Sequence, residues 1–175
     1  MSSDVFVRRA QLSDLETIVE LRLSLLREYA ENPLYGRLRP DAEARAHDLY
    51  RAQLTSPLEA IFVAEAEAGV VGILRCVDTP SSPLLDPERY CYVSSAYVRP
   101  EWRRRGVLRA LLERAIAWCD ERGIDEMRLH NAASSIAATE AWQALGFDVV
   151  EQVRRRKVRD APRRRATPLV HVETR

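Results

Sequence analysis

Val98-Arg99-Pro100-Glu101-Trp102-Arg103-Arg104-Arg105-Gly106-Val107-Leu108-Arg109-Ala110-Leu111-Leu112 is the stretch on which the reading of this chain turns. It leaves a β-branched, aromatic segment, passes a proline-directed turn and a basic turn containing glycine, and enters an apolar helix. A helix start exposes unpaired N–H groups and the positive end of the macrodipole. Arg103, Arg104, Arg105 and Arg109 surround that start, and Gly106 has no Cβ to keep a ligand from the backbone. The combination suits a phosphate or pyrophosphate. The plainer alternative is an ordinary helix start with solvated arginines. The segment is not a Walker A loop, because no Lys-Ser/Thr follows the glycine, and it is not Gly-x-Gly-x-x-Gly.

Working outward, Tyr90 to Val98 reads as a strand, and Arg104 to Arg122 as a helix closed by Gly123. Met127 to His130 is a short strand, and Ser134/Ser135 cap a helix that runs to Leu145 and stops at Gly146. Toward the N-terminus, Ile61 to Ala66 and Val70 to Val77 form a hairpin over Glu67-Ala68-Gly69. The prolines and serines of Thr79 to Pro87 mark a loop. Val5 to Arg8 is a strand, and Ser13-Asp14 with Glu16 starts a helix ending near Tyr29. Its stripe is Leu15, Ile18, Val19, Arg22, Leu25, Leu26 and Tyr29, apolar except at Arg22. A second helix covers Asp41 to about Leu54, after the loop at 30–40. Phe147 to Val158 and Leu169 to Val172 read as a closing pair of strands. The order β-α-α-β-β-β-α-β-α-β-β predicts an α/β fold, a mixed sheet flanked by helices, in one domain over residues 1–175.

Composition narrows the function classes. The chain has 175 residues, 46% hydrophobic and 30% charged, which suits one well-buried soluble domain. Lys+Arg is 27 against Asp+Glu 26, so no global charge draws the protein to nucleic acid or membrane. Cys76, Cys91 and Cys119 are odd in number and widely spaced, which predicts neither a disulfide framework nor a metal site. They read as small core residues in a reducing compartment. Met1-Ser2-Ser3-Asp4 has neither a basic nor an apolar region, and the most apolar stretch, Ala60 to Leu74, is broken by Glu65 and Glu67. A cytoplasmic protein with no signal peptide and no membrane span is expected.

The decisive stretch resembles the acyl-CoA pyrophosphate loop of the GNAT superfamily of N-acetyltransferases. That loop reads Gln/Arg-x-x-Gly-x-Gly/Ala, preceded by Val-x-Pro-x-Tyr/Trp and followed by x-x-Leu-Leu. Arg103, Gly106, Val98, Pro100, Trp102, Leu111 and Leu112 match. Ala141-Trp142-Gln143-Ala144-Leu145-Gly146-Phe147 resembles the end of the family's last helix, and the element order agrees over nearly the whole chain. The resemblance implies a mostly antiparallel sheet whose fourth and fifth strands splay around acetyl-CoA, the acyl-donor substrate. Amides from about Arg105 to Arg109, through Gly106, Val107 and Leu108, would cradle the pyrophosphate, and Arg103 or Arg104 would meet the 3′-phosphate. Pantetheine would pair with backbone groups of Tyr97 and Val98 like an added strand.

The resemblance also sets expectations where this chain departs from the pattern. Leu108 stands where Gly or Ala is usual, which narrows the expected turn. Trp142 stands where a tyrosine often protonates the departing thiolate, and an indole N–H is no usable acid. Ser135 stands at a frequent Asn position and would either contact pantetheine or cap its helix. Lysine-acetylating branches often carry Glu six residues before Val98; here that residue is Tyr92, and the nearest acid is Glu88. Acceptor-facing candidates are Tyr92, Ser94, Ser95, His130 and Asn131. His130 is the candidate base by residue type, with a hydrogen-bonded structural histidine as its alternative. The loop carrying Tyr35, Arg37 and Arg39 would suit an acceptor with a carboxylate or phosphate.

The expected activity is direct transfer of acetyl from acetyl-CoA to a primary amine of a small molecule or protein. No covalent cysteine intermediate is expected, since Cys91 has no base beside it in sequence. The rival reading is a non-catalytic acyl-CoA-binding regulatory module. Arg154-Arg155-Arg156-Lys157 and Arg163-Arg164-Arg165 form a basic stretch without interleaved aromatics, which argues against nucleic acid and for a solvated hairpin, an acidic partner or a dimer contact. A homodimer follows only by analogy with the family.

Overall fold

Alternation along the central strands explains how the chain layers itself. In β2 (Glu59–Ala66), Ala60, Phe62 and Ala64 face one way and Ile61 and Val63 the other, and all five are buried. A strand buried on both faces needs helices on both. In the computed structural model, which describes residues 5–158, those helices are α1 (Leu15–Glu28) and α2 (Ala42–Thr55) on one face and α3 (Val107–Asp120) on the other. The sheet order is β1-β2-β3-β4-β5, with β1 Phe6–Arg9, β3 Gly69–Pro80, β4 Arg89–Val98 and β5 Met127–Leu129. All neighbours are antiparallel except β4 and β5, which run parallel. Helix α4 (Ile136–Ala144) follows β5 and contributes Trp142 to the α3-side core. No described helix is long and apolar enough to cross a membrane.

Gly72 lets α3 settle close to the sheet. A Cβ there would lie 3.3 Å from both Val107 Cγ1 and Leu111 Cδ1, and 3.1 Å from the Tyr97 carbonyl oxygen. The first turn of α3 is thereby pressed against the ends of β3 and β4.

The three cysteines gather in that same core, all buried. The Cys119 thiol pulls Cys91 down, but the Cys76 thiol and burial outweigh it and push Cys91 up to about 12. Such a thiol is not a thiolate near neutral pH, so it is no nucleophile.

Three expectations are corrected. Helix α3 begins at Val107 rather than Arg104, because Arg104 takes a left-handed φ of 61° and Gly106 a φ of 81°, neither compatible with a helix interior. Asp14 makes no side-chain cap at α1; its carboxylate instead accepts the Gln11 N–H at 2.7 Å and pairs with Arg8 at 2.8 Å. The expected strand over Phe147 to Val158 does not form among the described residues. Phe147 packs against Trp142 at 5.3 Å, and beyond it Val149, Val150, Val153 and Val158 stand exposed. β-branched composition favours extended backbone, but a strand needs a partner ladder, and β5 has only three residues. Leu169 to Val172 lies outside the described residues.

Candidate functional site

The site grows from two local irregularities. The first is a bulge in β4. Ile73 pairs with Tyr97 and Arg75 with Ser94, so Ser95 and Ala96 together oppose the single residue Leu74. Ser95 carries the strain, with φ 53°. One inserted residue reverses the faces of a strand. Cys91 and Val93 accordingly face α3, whereas Tyr97, of the same parity, faces α1 and α2. The buried Ser95 hydroxyl shares a 2.9 Å hydrogen bond with the buried Tyr50 hydroxyl of α2, which holds the bulge from below.

The second irregularity is the parting of β4 and β5. Their ladder pairs Cys91 with Met127, Tyr92 with Arg128 and Val93 with Leu129, then stops. From Ser94 to Val98, β4 has no paired strand on that side among the described residues, which leaves room for an extended ligand to pair with its backbone. The predicted splay is present.

Above the gap, α3 starts with no side-chain cap at Gly106. Its first i→i−4 bond is donated by Ala110 N–H to the Gly106 carbonyl at 3.0 Å. The amides of Gly106, Val107, Leu108 and Arg109 therefore precede the helical ladder. A Cβ at Gly106 would meet nothing within 4 Å, so the approach is open.

The arginines divide their work. Arg103 donates to the Val98 carbonyl at 2.9 Å and to Glu28 at 2.6 Å, and lies 5.4 Å over the Tyr97 ring. Tyr97 donates to the same Glu28 oxygen at 3.1 Å. Burial and then Glu28 push the Tyr97 phenol above its ordinary value. Arg99 pairs with Glu20 at 3.0 Å. Two α1 carboxylates thus clamp the end of β4. Arg105 lies 5.3 Å from the Trp102 ring and is not in the cavity wall, whereas Arg104 and Arg109 line it without ion-pair partners among the described residues. The guanidinium of Arg103 is committed to the clamp, and Arg104 and Arg109 are the ones left for an anion.

A cavity of about 590 Å³ joins these features. It runs from Gly106 and Arg109, past Val98 and the bulge, to Tyr92 and His130, with Tyr29, Tyr35 and Arg22 on the α1 side. Tyr92 Oη and His130 Nδ1 are 3.0 Å apart. Burial pushes the Tyr92 phenol up, Tyr35 adds to that, and the Arg22 charge opposes it, which puts these groups at one end. Leu108 and Trp142 are wall residues that also pack against the core. Ser135 lines the cavity and caps α4, accepting the Ala138 N–H at 3.3 Å. Ser94 accepts from Arg75 at 3.0 Å, and Asn131 donates to Thr139 at 2.9 Å.

The acetyltransferase (GNAT) family model matches residues 23–147. The chain belongs to the GNAT acetyltransferase family. This GNAT chain is 28% identical over 155 residues to aminoglycoside N(6′)-acetyltransferase type 1 of Stenotrophomonas maltophilia, a match covering 84% of the chain and 88% of that protein. A predicted acetyltransferase of Clostridium acetobutylicum, solved with acetyl-CoA, superposes with TM-score 0.71 at 18% identity, over 88% of this chain and 96% of that one. AAC(6′)-Iy, solved with the bisubstrate analogue CoA-S-monomethyl-acetylneamine, superposes with TM-score 0.70 at 22% identity, over 89% and 98%. At those identities the structural likenesses establish the fold.

Of the candidate catalytic and acyl-CoA-binding residues singled out in sequence, all but Arg105 line this cavity of the GNAT chain. Arg39 pairs with Asp41 at 3.1 Å, and neither Arg37 nor Arg39 reaches the wall. Sequence reasoning missed Tyr50 and Glu28, whose roles depend on contacts across 45 and 75 residues. Arg22 did leave a signal, as the single break in an apolar stripe.

Proposed function

We propose that this protein is a single-domain N-acetyltransferase moving an acetyl group from acetyl-CoA to a primary amine by direct attack. The carrying observation is the continuity of one cavity from the uncapped α3 amides through the β4/β5 gap to Tyr92 and His130. Acetyl-CoA supplies an activated thioester carbonyl. The amides of Gly106 to Arg109, with Arg104 and Arg109, bind its pyrophosphate. Backbone groups of Tyr97 and Val98 align the pantetheine arm, the Val98 carbonyl already accepting from Arg103, with Ser135 beside it. A backbone N–H near Val98 receives the developing oxyanion.

His130 is the base. When its Nδ1–H donates to Tyr92 Oη, Nε2 keeps a lone pair, and among the described residues it has no partner. That nitrogen takes the proton as the amine attacks. Tyr92 orients the ring, and Ser95, held by Tyr50, keeps the bulge in shape. The raised Cys91 thiol argues against an acetyl-cysteine intermediate. A positioned Tyr92–His130 pair at the far end of the cavity favours a catalyst over a binding-only module. The aminoglycoside acetyltransferases among its relatives bring a small-molecule amine forward as acceptor.

The test is calorimetric titration with acetyl-CoA, followed by thiol release across a panel of small amines and lysine peptides. Saturable binding and amine-dependent thiol release are expected. Binding without release from any amine would leave only the regulatory module.

A further inference from the structure

The last two turns of α1 change what the helix does. Ile18 and Val19 are buried in the core, but Arg22, Leu25, Leu26 and Tyr29 continue the stripe into the cavity wall. Arg22 is half-buried, and among the described residues it has no hydrogen bond or ion pair. Its guanidinium lines the cavity with no carboxylate paired to it among the described residues, which leaves its donors open to an anionic ligand. It shares that wall with Leu25, Tyr29, Tyr35 and Tyr92, and its charge opposes the upward push that burial gives the Tyr92 phenol.

Basic side chains outnumber acidic ones around the cavity. Arg22, Arg103, Arg104 and Arg109 line it, and among the described residues the sole lining carboxylate is Glu28. Glu28 already accepts from Arg103 at 2.6 Å and Tyr97 at 3.1 Å. No carboxylate in the wall is left to receive an ammonium group. With Arg103 paired to Glu28 and Arg104 and Arg109 facing the CoA phosphates, Arg22 is the charge left for the acceptor, and a polycationic aminoglycoside finds no free carboxylate among the described lining residues.

We infer that the acceptor is a compact amine bearing a carboxylate and an apolar body, with Arg22 binding the carboxylate and Tyr29, Tyr35 and Leu25 the body. This rests on the acetyltransferase reading and names the substrate class of the same site. A planar guanidinium takes a carboxylate by two parallel hydrogen bonds, leaving the amine free to face His130. Arg22 is thus a specificity-determining residue, with no part in the acetyl step.

The experiment compares phenylalanine, methionine and 4-aminobutyrate with their amides, and all of these with neamine, as acceptors for the full chain. Charge-assisted pairing predicts at least one acid preferred over its amide by about 10- to 100-fold in kcat/KM, and over neamine by more. Arg22→Gln should bring that ratio to about 1 while the Kd for acetyl-CoA stays unchanged, and Arg22→Lys should restore part of it. Neamine or the amides turning over as well as the acids, or a preference that survives Arg22→Gln, would overturn the inference and spare the transferase. A second arm titrates N-acetylphenylalanine into the CoA-loaded protein, which reads the carboxylate site without turnover. Binding that Arg22→Gln abolishes, with no amine acetylated, would keep the carboxylate site and sink the transferase. No binding in this arm, with no acid turned over, would overturn the inference.

Discussion

The two ends of the cavity are built from different materials. At α3 the groups offered to a ligand are backbone amides, exposed because Gly106 supplies no cap and the helical ladder starts only at Ala110. At the other end they are side chains from α1, the loop that follows it, β4 and the segment after β5: Arg22, Tyr35, Tyr92 and His130. A backbone site is specified by a short run of sequence and tolerates different side chains around it. A side-chain site is specified by which distant residues the fold brings together, so it can change while the backbone site stays. One end is suited to a constant ligand and the other to a variable one.

Gly106→Asp should give the largest effect. It puts a carboxylate against the α3 amides and a side chain at φ 81°, and acetyl-CoA affinity should fall by about 100-fold or more by calorimetry. The variant should still fold, with a melting temperature lower by roughly several degrees, because the φ strains any side chain although the new Cβ meets no neighbour. Retained affinity would break the assignment of that end.

His130→Ala should act at the other end only. The expected loss is about 100-fold in kcat with the Kd for acetyl-CoA unchanged, and Tyr92→Phe should cost less. Equal losses in both constants would merge the two ends into one.

Asp14→Asn is a control remote from both. The Arg8 hydrogen bonds, aided by the Gln11 N–H and opposed by burial, hold the Asp14 carboxyl below its ordinary value. A depressed folded value means the stabilisation is present above the unfolded value of about 3.9 and is lost as pH falls through the folded one. Urea unfolding should show the variant about 2 kcal/mol less stable at pH 7, with a shallower decline toward pH 3. Acetyl-CoA affinity should not change at pH 7.

Tyr50→Phe should give the smallest effect. Losing the 2.9 Å bond to Ser95 should cost about 1 kcal/mol, and because the bulge lies between the ends, kcat should fall a few-fold with KM shifting little.

How much was legible follows the same division. The hairpin, α1, α2, the strand over 90–98 and the Gly106 turn could be read because each depends on periodicity or on a local start or stop signal. The bulge could not be read, since Tyr-Val-Ser-Ser-Ala-Tyr alternates plausibly in either register. The strand expected over 147–158 failed because β-branched residues state a preference, whereas a strand is a pairing. The sequence alone left Arg103 and Arg104 as equal candidates for a 3′-phosphate. Glu28, far away in sequence, takes one of them into a structural clamp and leaves its neighbours.

By itself the sequence determined the family, the α/β order and the glycine turn ahead of α3, because each is written in a short run of residues and enforced by backbone sterics. Only the tertiary structure decided that β4 switches faces at Ser95, that Glu28 is consumed by Arg103 and Tyr97, and that Arg22 stands in the cavity wall without an ion-pair partner among the described residues. Those facts are sums over contacts between distant segments, and pairing of charges is settled by which groups arrive within about 3 Å of one another.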